Sequence, residues 1–575
     1  MDIAPAPDGQ TWRGDAILAV AIVAILGGMW AAQDWHALSA LRLADTDDAM
    51  RLLQVRDWLG GQAWSDLTQY RLGPPGGLAM HWSRLPDLPI AAIVLAPRPL
   101  VGTATAELIA VLAWPPLLFA AQLMLIAAIA RRLGGAGAAP TAMLVAALAY
   151  PAISQFMPGR IDHHGLQIVL LTACAHGMIA PASKWRGLAI GAAMFASIAT
   201  GLEMAPLLAV IGGWAAVEWL RGGGGERLAG IGAGLAIAGV LGAGLIPASG
   251  PGDLCDALNA PLRVLVIAGG IGTLLLATFA DRLPVPRWAP AAALAAALAL
   301  LGLRLAPACL AGPYGAVDPM LERLWLANVA EAHPLFATPF AFALGYAGLM
   351  AAGLAATLWQ ARRAGGAWWG LAALIAAALA VTCLQVRGAY PGAALAAPGL
   401  AMLIARARAK GVAALAGAWI VSAGILYPIA GAALTKPPEA PLLTGADCTG
   451  PEQLAALAQL PPGRIVAPID IGAFALPATR HASLSAPYHR NNAGNAAMYR
   501  FFLGPEHEAR AIARRHDLTY VAWCDGAFGE IDLAREAAPG ALAPRLAARR
   551  PPAWLVPVRD EGLKVWRIAD EDADR

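Results

Sequence analysis

Charged residues are scarce in this chain: only 14% of its 575 residues are Asp, Glu, Lys or Arg, against about a quarter in soluble globular proteins. The bulk of the fold is therefore not one solvated by water. A net charge of +3 over this length leaves no basic stripe, which argues against DNA or RNA as a partner. No Walker or dinucleotide motif occurs, and Gly222 to Gly225 reads as a flexible turn rather than a phosphate loop. The Gly- and Ala-rich stretches show no clear internal repeat. Cysteine is sparse too, with six residues. Cys174, Cys309 and Cys383 stand in or beside apolar runs and are expected to be small buried hydrophobes. Cys448 and Cys524 lie in a polar C-terminal region, where export from the cytoplasm would favour a disulfide between them.

Apolar residues are what the chain has in abundance, at 58% with a mean hydropathy of +0.57. The first run, Ala16 to Ala32, is longer than a signal-peptide core and no small-residue cleavage site closes it, so a retained helix is expected. Runs approaching the roughly 20 residues that a span requires lie near 15–33, 106–130, 138–157, 165–182, 186–201, 203–220, 228–246, 261–280, 289–306, 336–358, 367–384, 391–406 and 412–434. With the N-terminus in the cytoplasm, the loops on that side carry Arg131/Arg132, Lys184/Arg186, Arg221/Arg227, Arg282/Arg287, Arg362/Arg363 and Arg406/Arg408/Lys410. All are basic, as the positive-inside rule requires, and one missed span would invert the later loops. The expected fold class is an α-helical polytopic membrane protein of about thirteen transmembrane helices. Residues 1–434 would hold the spans and the external loops 34–105 and 307–335. Residues 435–575 would form a small extracytoplasmic α/β domain, because Arg464 to Ala467 and Leu518 to Trp523 read as strands between Ala/Arg-rich helical segments. An Ala-rich single chain of this kind suggests a bacterial inner membrane, with the C-terminal domain periplasmic.

The external segments gather acids. The first loop opens with Leu43-Ala44-Asp45-Thr46-Asp47-Asp48-Ala49-Met50-Arg51. Its clustered carboxylates repel one another, so the run is either solvated or a site for a hard cation. Beyond the third apolar run, Met157-Pro158-Gly159-Arg160-Ile161-Asp162-His163-His164-Gly165 sets a carboxylate and two imidazoles at the same face. Oxygen and nitrogen donors suit Mn²⁺ or Mg²⁺ better than a structural zinc. A third element, Asn328-Val329-Ala330-Glu331-Ala332-His333-Pro334, adds Glu331. A lone loop Glu means little, but these three elements are expected on one membrane face.

At these residues the chain resembles the catalytic subunit of oligosaccharyltransferases, of archaeal or bacterial type, in the C superfamily (GT-C) of membrane glycosyltransferases. The family's first-loop motif D-P-x-Y-x-x-R is followed by a Pro-Gly turn and a Trp. Here Asp47-Asp48-Ala49-Met50 leads to Pro74-Pro75-Gly76-Gly77 and His81-Trp82-Ser83-Arg84-Leu85-Pro86-Asp87. Its second acidic motif matches Gly159 to His164, its third Asn328 to Glu331, and the likeness spans roughly residues 15–434.

The resemblance implies an inverting enzyme that moves a sugar or glycan from a polyprenyl (pyro)phosphate donor to an extracytoplasmic glycan, lipid or protein. A divalent cation, Mn²⁺ or Mg²⁺, would be held by Asp47, Asp162, His164 and Glu331. Asp47 and Glu331 would also be catalytic, holding the acceptor nucleophile near the anomeric carbon. Arg387 would contact the donor phosphate, with anchoring to lipid headgroups as the alternative. Glu203, beside Gly201 at a helix end, is expected to be structural or interfacial. The departure lies in the C-terminal domain, where the family's acceptor-reading W-W-D-Y-G is Pro468-Ile469-Asp470-Ile471-Gly472 here. Asp470 keeps its spacing and both Trp residues are missing, so efficient use of Asn-x-Ser/Thr sequons is not expected. Nearby, Tyr488, His489 and Arg490 form either a sugar or phosphate contact or a structural turn. The competing readings are a transporter or flippase of lipid-linked glycans, which would bury its ionisable groups near the bilayer midplane, and a non-catalytic scaffold.

Overall fold

The computed structural model describes residues 8–247, 255–312, 314–435 and 448–569. Seven of its helices are long and apolar enough to cross a membrane, among them Trp12–Gln33, Thr103–Gly134, Gly225–Leu245 and Phe340–Ala364. Two bent pairs, Val386–Leu395 with Ala397–Arg408 and Val412–Ser422 with Leu426–Leu434, bring the number to nine if each is one span. Their outward faces stay apolar, as at Leu300 and Leu303 of helix Trp288–Leu305, and only hydrocarbon covers such a surface without cost. Helix occurs in all thirteen expected segments, but not always at spanning length. The 138–157 run breaks after helix Ala138–Ala146 into a turn and a single 3₁₀ segment, Ala152–Phe156. His164–Ile179 and Ala205–Leu220 have 16 residues each, and at 1.5 Å per residue such a helix is shorter than the roughly 30 Å of hydrocarbon.

Close helix packing is built on glycine. A side chain at Gly187 would meet the Arg227 carbonyl and one at Gly191 the Ile231 carbonyl, while Gly230 and Gly234 stand in the same relation to Lys184 and Leu188. Two small-xxx-small faces thus interlock helices Lys184–Thr200 and Gly225–Leu245 backbone to backbone.

Asp45 caps helix Thr46–Leu59 by accepting the Asp47 N–H, which sets the next two acids in the helix's first turn. Behind them, buried Arg51 donates to Asp87 at 2.7 Å and Arg84 donates to the Gln54 and Asp66 carbonyls. This network folds the first loop into a platform. Met50, Leu53, Met80 and Trp82 of the platform share one apolar cluster with Ala473, Leu476 and Tyr488 of the C-terminal region. Arg71 adds bonds to the Thr479 and His481 carbonyls.

The C-terminal region is built on a five-stranded mixed sheet in the order Ala482–Ser483, Arg464–Val466, Leu518–Trp523, Lys564–Ile568 and Leu555–Arg559. The first three run parallel and the last two form an antiparallel hairpin. A Cys448–Cys524 disulfide fastens the end of its central strand, as expected. Cys309 corrects the sequence reading: it pairs with Cys255, 54 residues away, and is not a buried hydrophobe. The partner lies in a different loop, and only tertiary folding brings the two together. Cys174 and Cys383 are free thiols.

Candidate active site

The positive φ of Gly159 lets the chain turn sharply ahead of Arg160, and a side chain there would strike Leu38. Arg160 leaves that turn to meet three carboxylates, Asp45 at 2.7 Å and Asp48 and Asp162 at 3.1 Å. Asp48 is wholly buried and its Oδ1 accepts the Asp162 N–H at 2.9 Å. Asp162 in turn takes the His164 N–H at 2.9 Å and pairs with His164 Nδ1 at 2.8 Å. His164 Nε2 is left buried without a protein partner. The next imidazole, His163, pairs through Nε2 with Glu203 Oε1 at 3.2 Å, while Gln167 donates to Glu203 Oε2 at 2.7 Å. Glu203 lines a cavity wall and is not simply interfacial. Gly201 makes this possible, because a side chain there would occupy the space of the Glu203 carboxylate.

Glu331 sits in the 3₁₀ turn Ala330–Ala332 and accepts from Arg387 at 3.2 Å. The His333 carbonyl takes the Val386 N–H, which fastens this turn to the segment carrying Arg387. Two cavities meet here, one of about 380 Å³ and one of about 420 Å³, and Asp47, His164 and Glu331 line both. The first cavity also takes in His81, His163, Glu203, Asp256, Arg387 and His489. The second opens between Asp45, Arg160 and Asp162 on one wall and Asp470 and Glu530 on the other. Of the four expected metal ligands, Asp47, His164 and Glu331 line both cavities and Asp162 lines the second. The tightest sets of ligand atoms among the described residues, however, are His163/His164/Glu203 and His81/Asp256/His489, each within 4.8 Å.

Burial and the neighbouring charges of Asp45, Asp162 and Glu331 hold the Asp47 carboxyl well above its usual range. Burial acts the same way on Asp162, but His164 and Arg160 outweigh it and hold that carboxyl well below its usual range. One guanidinium cannot neutralise the whole cluster, and Asp47 is the member without a cationic partner among the described residues. A mixed set of carboxylate oxygens and one unpartnered imidazole nitrogen has the donor chemistry to hold a divalent cation.

The acceptor-side candidates divide. Asp470 stands in the first turn of helix Ile469–Ala478, at the mouth of the second cavity, where burial and Glu530 push its carboxyl up to about 6. Tyr488 is buried and donates to the Thr46 carbonyl at 2.8 Å, a docking contact. His489 and Arg490 both bind Asp256, at 2.5 and 2.7 Å. Sequence reasoning missed Asp256, because a single Asp in a loop joining two apolar helices carries no pattern. His81 was visible only as part of the motif around Trp82.

No protein-family model matches the sequence, and no curated protein does either. Solved structures do match. The Archaeoglobus fulgidus oligosaccharyltransferase AglB, solved with an inhibitory peptide and a dolichol-phosphate, superimposes with a TM-score of 0.66 at 14% identity over 98% of this chain and 75% of that one. The same enzyme in complex with Zn and sulfate gives 0.61 at 13% identity over 98% and 73%. Tethered to an acceptor peptide containing an NVT sequon, it gives 0.64 at 13% identity over 98% and 75%. At these identities what is shared is the fold, and this multi-pass helical chain with its small C-terminal sheet domain has the fold of an archaeal oligosaccharyltransferase.

Proposed function

We propose that the protein is a membrane glycosyltransferase of the oligosaccharyltransferase type, transferring a sugar or glycan from a polyprenyl phosphate or diphosphate to an acceptor outside the cytoplasm. The observation that carries this reading is the neck where Asp47, His164 and Glu331, from three separate segments, line two cavities at once. A transferase needs such a passage, with donor and acceptor entering from different sides and reacting between them.

The first cavity suits the donor: Arg387, His163 and His81 can bind phosphate oxygens, and Leu202, Leu207 and Pro391 offer an apolar wall to the lipid. The second suits the acceptor, whose nucleophile would hydrogen-bond to Asp47 and Glu331 at the neck. Attack from that side, opposite the leaving phosphate, inverts the anomeric centre. A divalent cation, Mn²⁺ or Mg²⁺, held by Asp47, Asp162, His164 and Glu331 would supply charge neutralisation for the departing phosphate. Asp48 and Arg160 fix Asp162 from behind. Residues 1–434 would be the membrane-embedded catalytic part and 435–575 an extracytoplasmic domain, in a bacterial inner membrane with a cytoplasmic N-terminus. Both Trp residues of the sequon-reading motif are absent, so the acceptor is open to glycan, lipid or protein.

Mass spectrometry of glycolipids, surface glycans and exported proteins, with and without the gene, would identify donor and acceptor. With these in hand, Asp47→Ala or Asp162→Ala in purified protein should slow transfer about a hundredfold or more, and chelator should abolish it with Mn²⁺ restoring it. Full activity in chelator, or an Asp47→Ala variant as fast as wild type, would overturn the reading.

A further inference from the structure

Resting on that reading, we infer that His489, supplied by the C-terminal domain, is part of the donor-phosphate site and that Asp256 is the residue that positions it. His489 lines the first cavity together with His81, His163 and Arg387. Its Nε2 is bound by Asp256 Oδ2 at 2.5 Å, so Nδ1 is the ring nitrogen left for a ligand. A carboxylate on one nitrogen fixes both the tautomer and the orientation of an imidazole. The neighbouring ring, His81, lies 4.6 Å away centroid to centroid, and its Nδ1 is buried without a protein partner. Two imidazole nitrogens are therefore available at one cavity wall.

Asp256 itself is firmly held. Arg490 donates to both of its oxygens at 2.7 Å, and the side chain is 4% exposed. Arg490 also donates to the Met80 carbonyl at 3.2 Å, next to His81, which ties the two imidazole-bearing segments together. The adjacent Cys255 is joined to Cys309, and Tyr314 beyond that disulfide packs edge-on against His489 at 5.3 Å. The ligand atoms of His81, Asp256 and His489 lie within 4.8 Å of one another, which also suggests a cation. Arg490 already neutralises the carboxylate, however, so a cation would find only two uncharged nitrogens, whereas a bound phosphate brings the negative charge that a doubly protonated His489 needs, with Nε2–H on Asp256 and Nδ1–H on the phosphate oxygen. The wall therefore fits phosphate oxygens, and it is complete only when the C-terminal domain is docked.

The test is binding of undecaprenyl phosphate to the full-length protein in nanodiscs, by native mass spectrometry and titration. His489→Ala and His489→Gln should weaken it about tenfold or more. Asp256→Asn should weaken it several-fold, with Asp256→Glu recovering most of the loss, and none of the four should change Mn²⁺ binding. Wild-type affinity in both His489 variants, with Arg387→Ala defective, would overturn this inference and leave the donor cavity standing. An Asp256→Asn variant that loses Mn²⁺ and lipid binding together would show a merely structural role and overturn the positioning assignment. Failure of wild type to bind the lipid would overturn the donor cavity itself. A stoichiometric zinc ion lost in His81→Ala and His489→Ala would replace the anion site with a metal site.

Discussion

Asp47 and Asp162 line the same cavity, yet their surroundings shift the two carboxyls in opposite directions. Arg160 and the His164 ring hold the Asp162 carboxyl well below its usual range, whereas burial and three other carboxylates push the Asp47 carboxyl well above it. A carboxyl whose folded pKa is raised favours the folded state while protonated, and that contribution is lost as pH rises through the raised value. A bound cation reverses the balance, because the ligand form is the ionised one and the ion then offsets the charge. Mn²⁺ binding should therefore release a proton, and its affinity should fall as pH is lowered through the raised value of Asp47. Titration calorimetry in buffers of different ionisation enthalpy reads this directly, and a pH-independent affinity without proton release would remove Asp47 from the ligand set.

Among the elements, the contact between helices Lys184–Thr200 and Gly225–Leu245 leaves no room for side chains at Gly187, Gly191, Gly230 or Gly234. Lipid tails are as apolar as leucine, so such helices are held by close van der Waals approach rather than by hydrophobic burial. Gly191→Leu should force the pair apart at a cost of roughly 1–3 kcal/mol or more, read as a lowered melting temperature in detergent. An unchanged melt would show that the pair tolerates separation. Gly472 is a parallel case at the C-terminal domain: a side chain there would strike the Ser485 carbonyl and the Ser483 hydroxyl. The glycine that survives from the family's acceptor motif thus has a packing reason in this chain, independent of any acceptor.

For the whole molecule, the first-loop platform and the C-terminal sheet domain share an apolar cluster and a set of arginine-to-carbonyl bonds, so both must lie on the same side of the membrane. A periplasm-active reporter fused at the C-terminus should be active and one fused after Arg363 silent. The reverse pattern would place the neck in the cytoplasm and remove the export of the acceptor. The Cys448–Cys524 and Cys255–Cys309 pairs bear on the same question, since an oxidising compartment is where both persist. Non-reducing peptide mapping should recover the two linked pairs and leave Cys174 and Cys383 free to alkylate after denaturation.

Hydropathy, basic loops and the order of the acidic motifs lie in the sequence itself, because a bilayer imposes a length and a polarity on each segment that composition alone can satisfy. The helical membrane class, the small C-terminal sheet domain and the Cys448–Cys524 pair follow from that level. The strands at Arg464–Val466 and Leu518–Trp523 were legible from local pattern, as alternating runs between Ala/Arg-rich helical segments. Tertiary structure decided what depends on segments distant in the chain. It showed that Glu203 reaches His163 across a helix junction, that Cys309 finds Cys255, and that Asp256 receives His489 and Arg490 from a domain more than two hundred residues away. Ion pairs and disulfides of this kind form where separate loops are brought within a few ångströms, and no local periodicity or spacing records which loops those are.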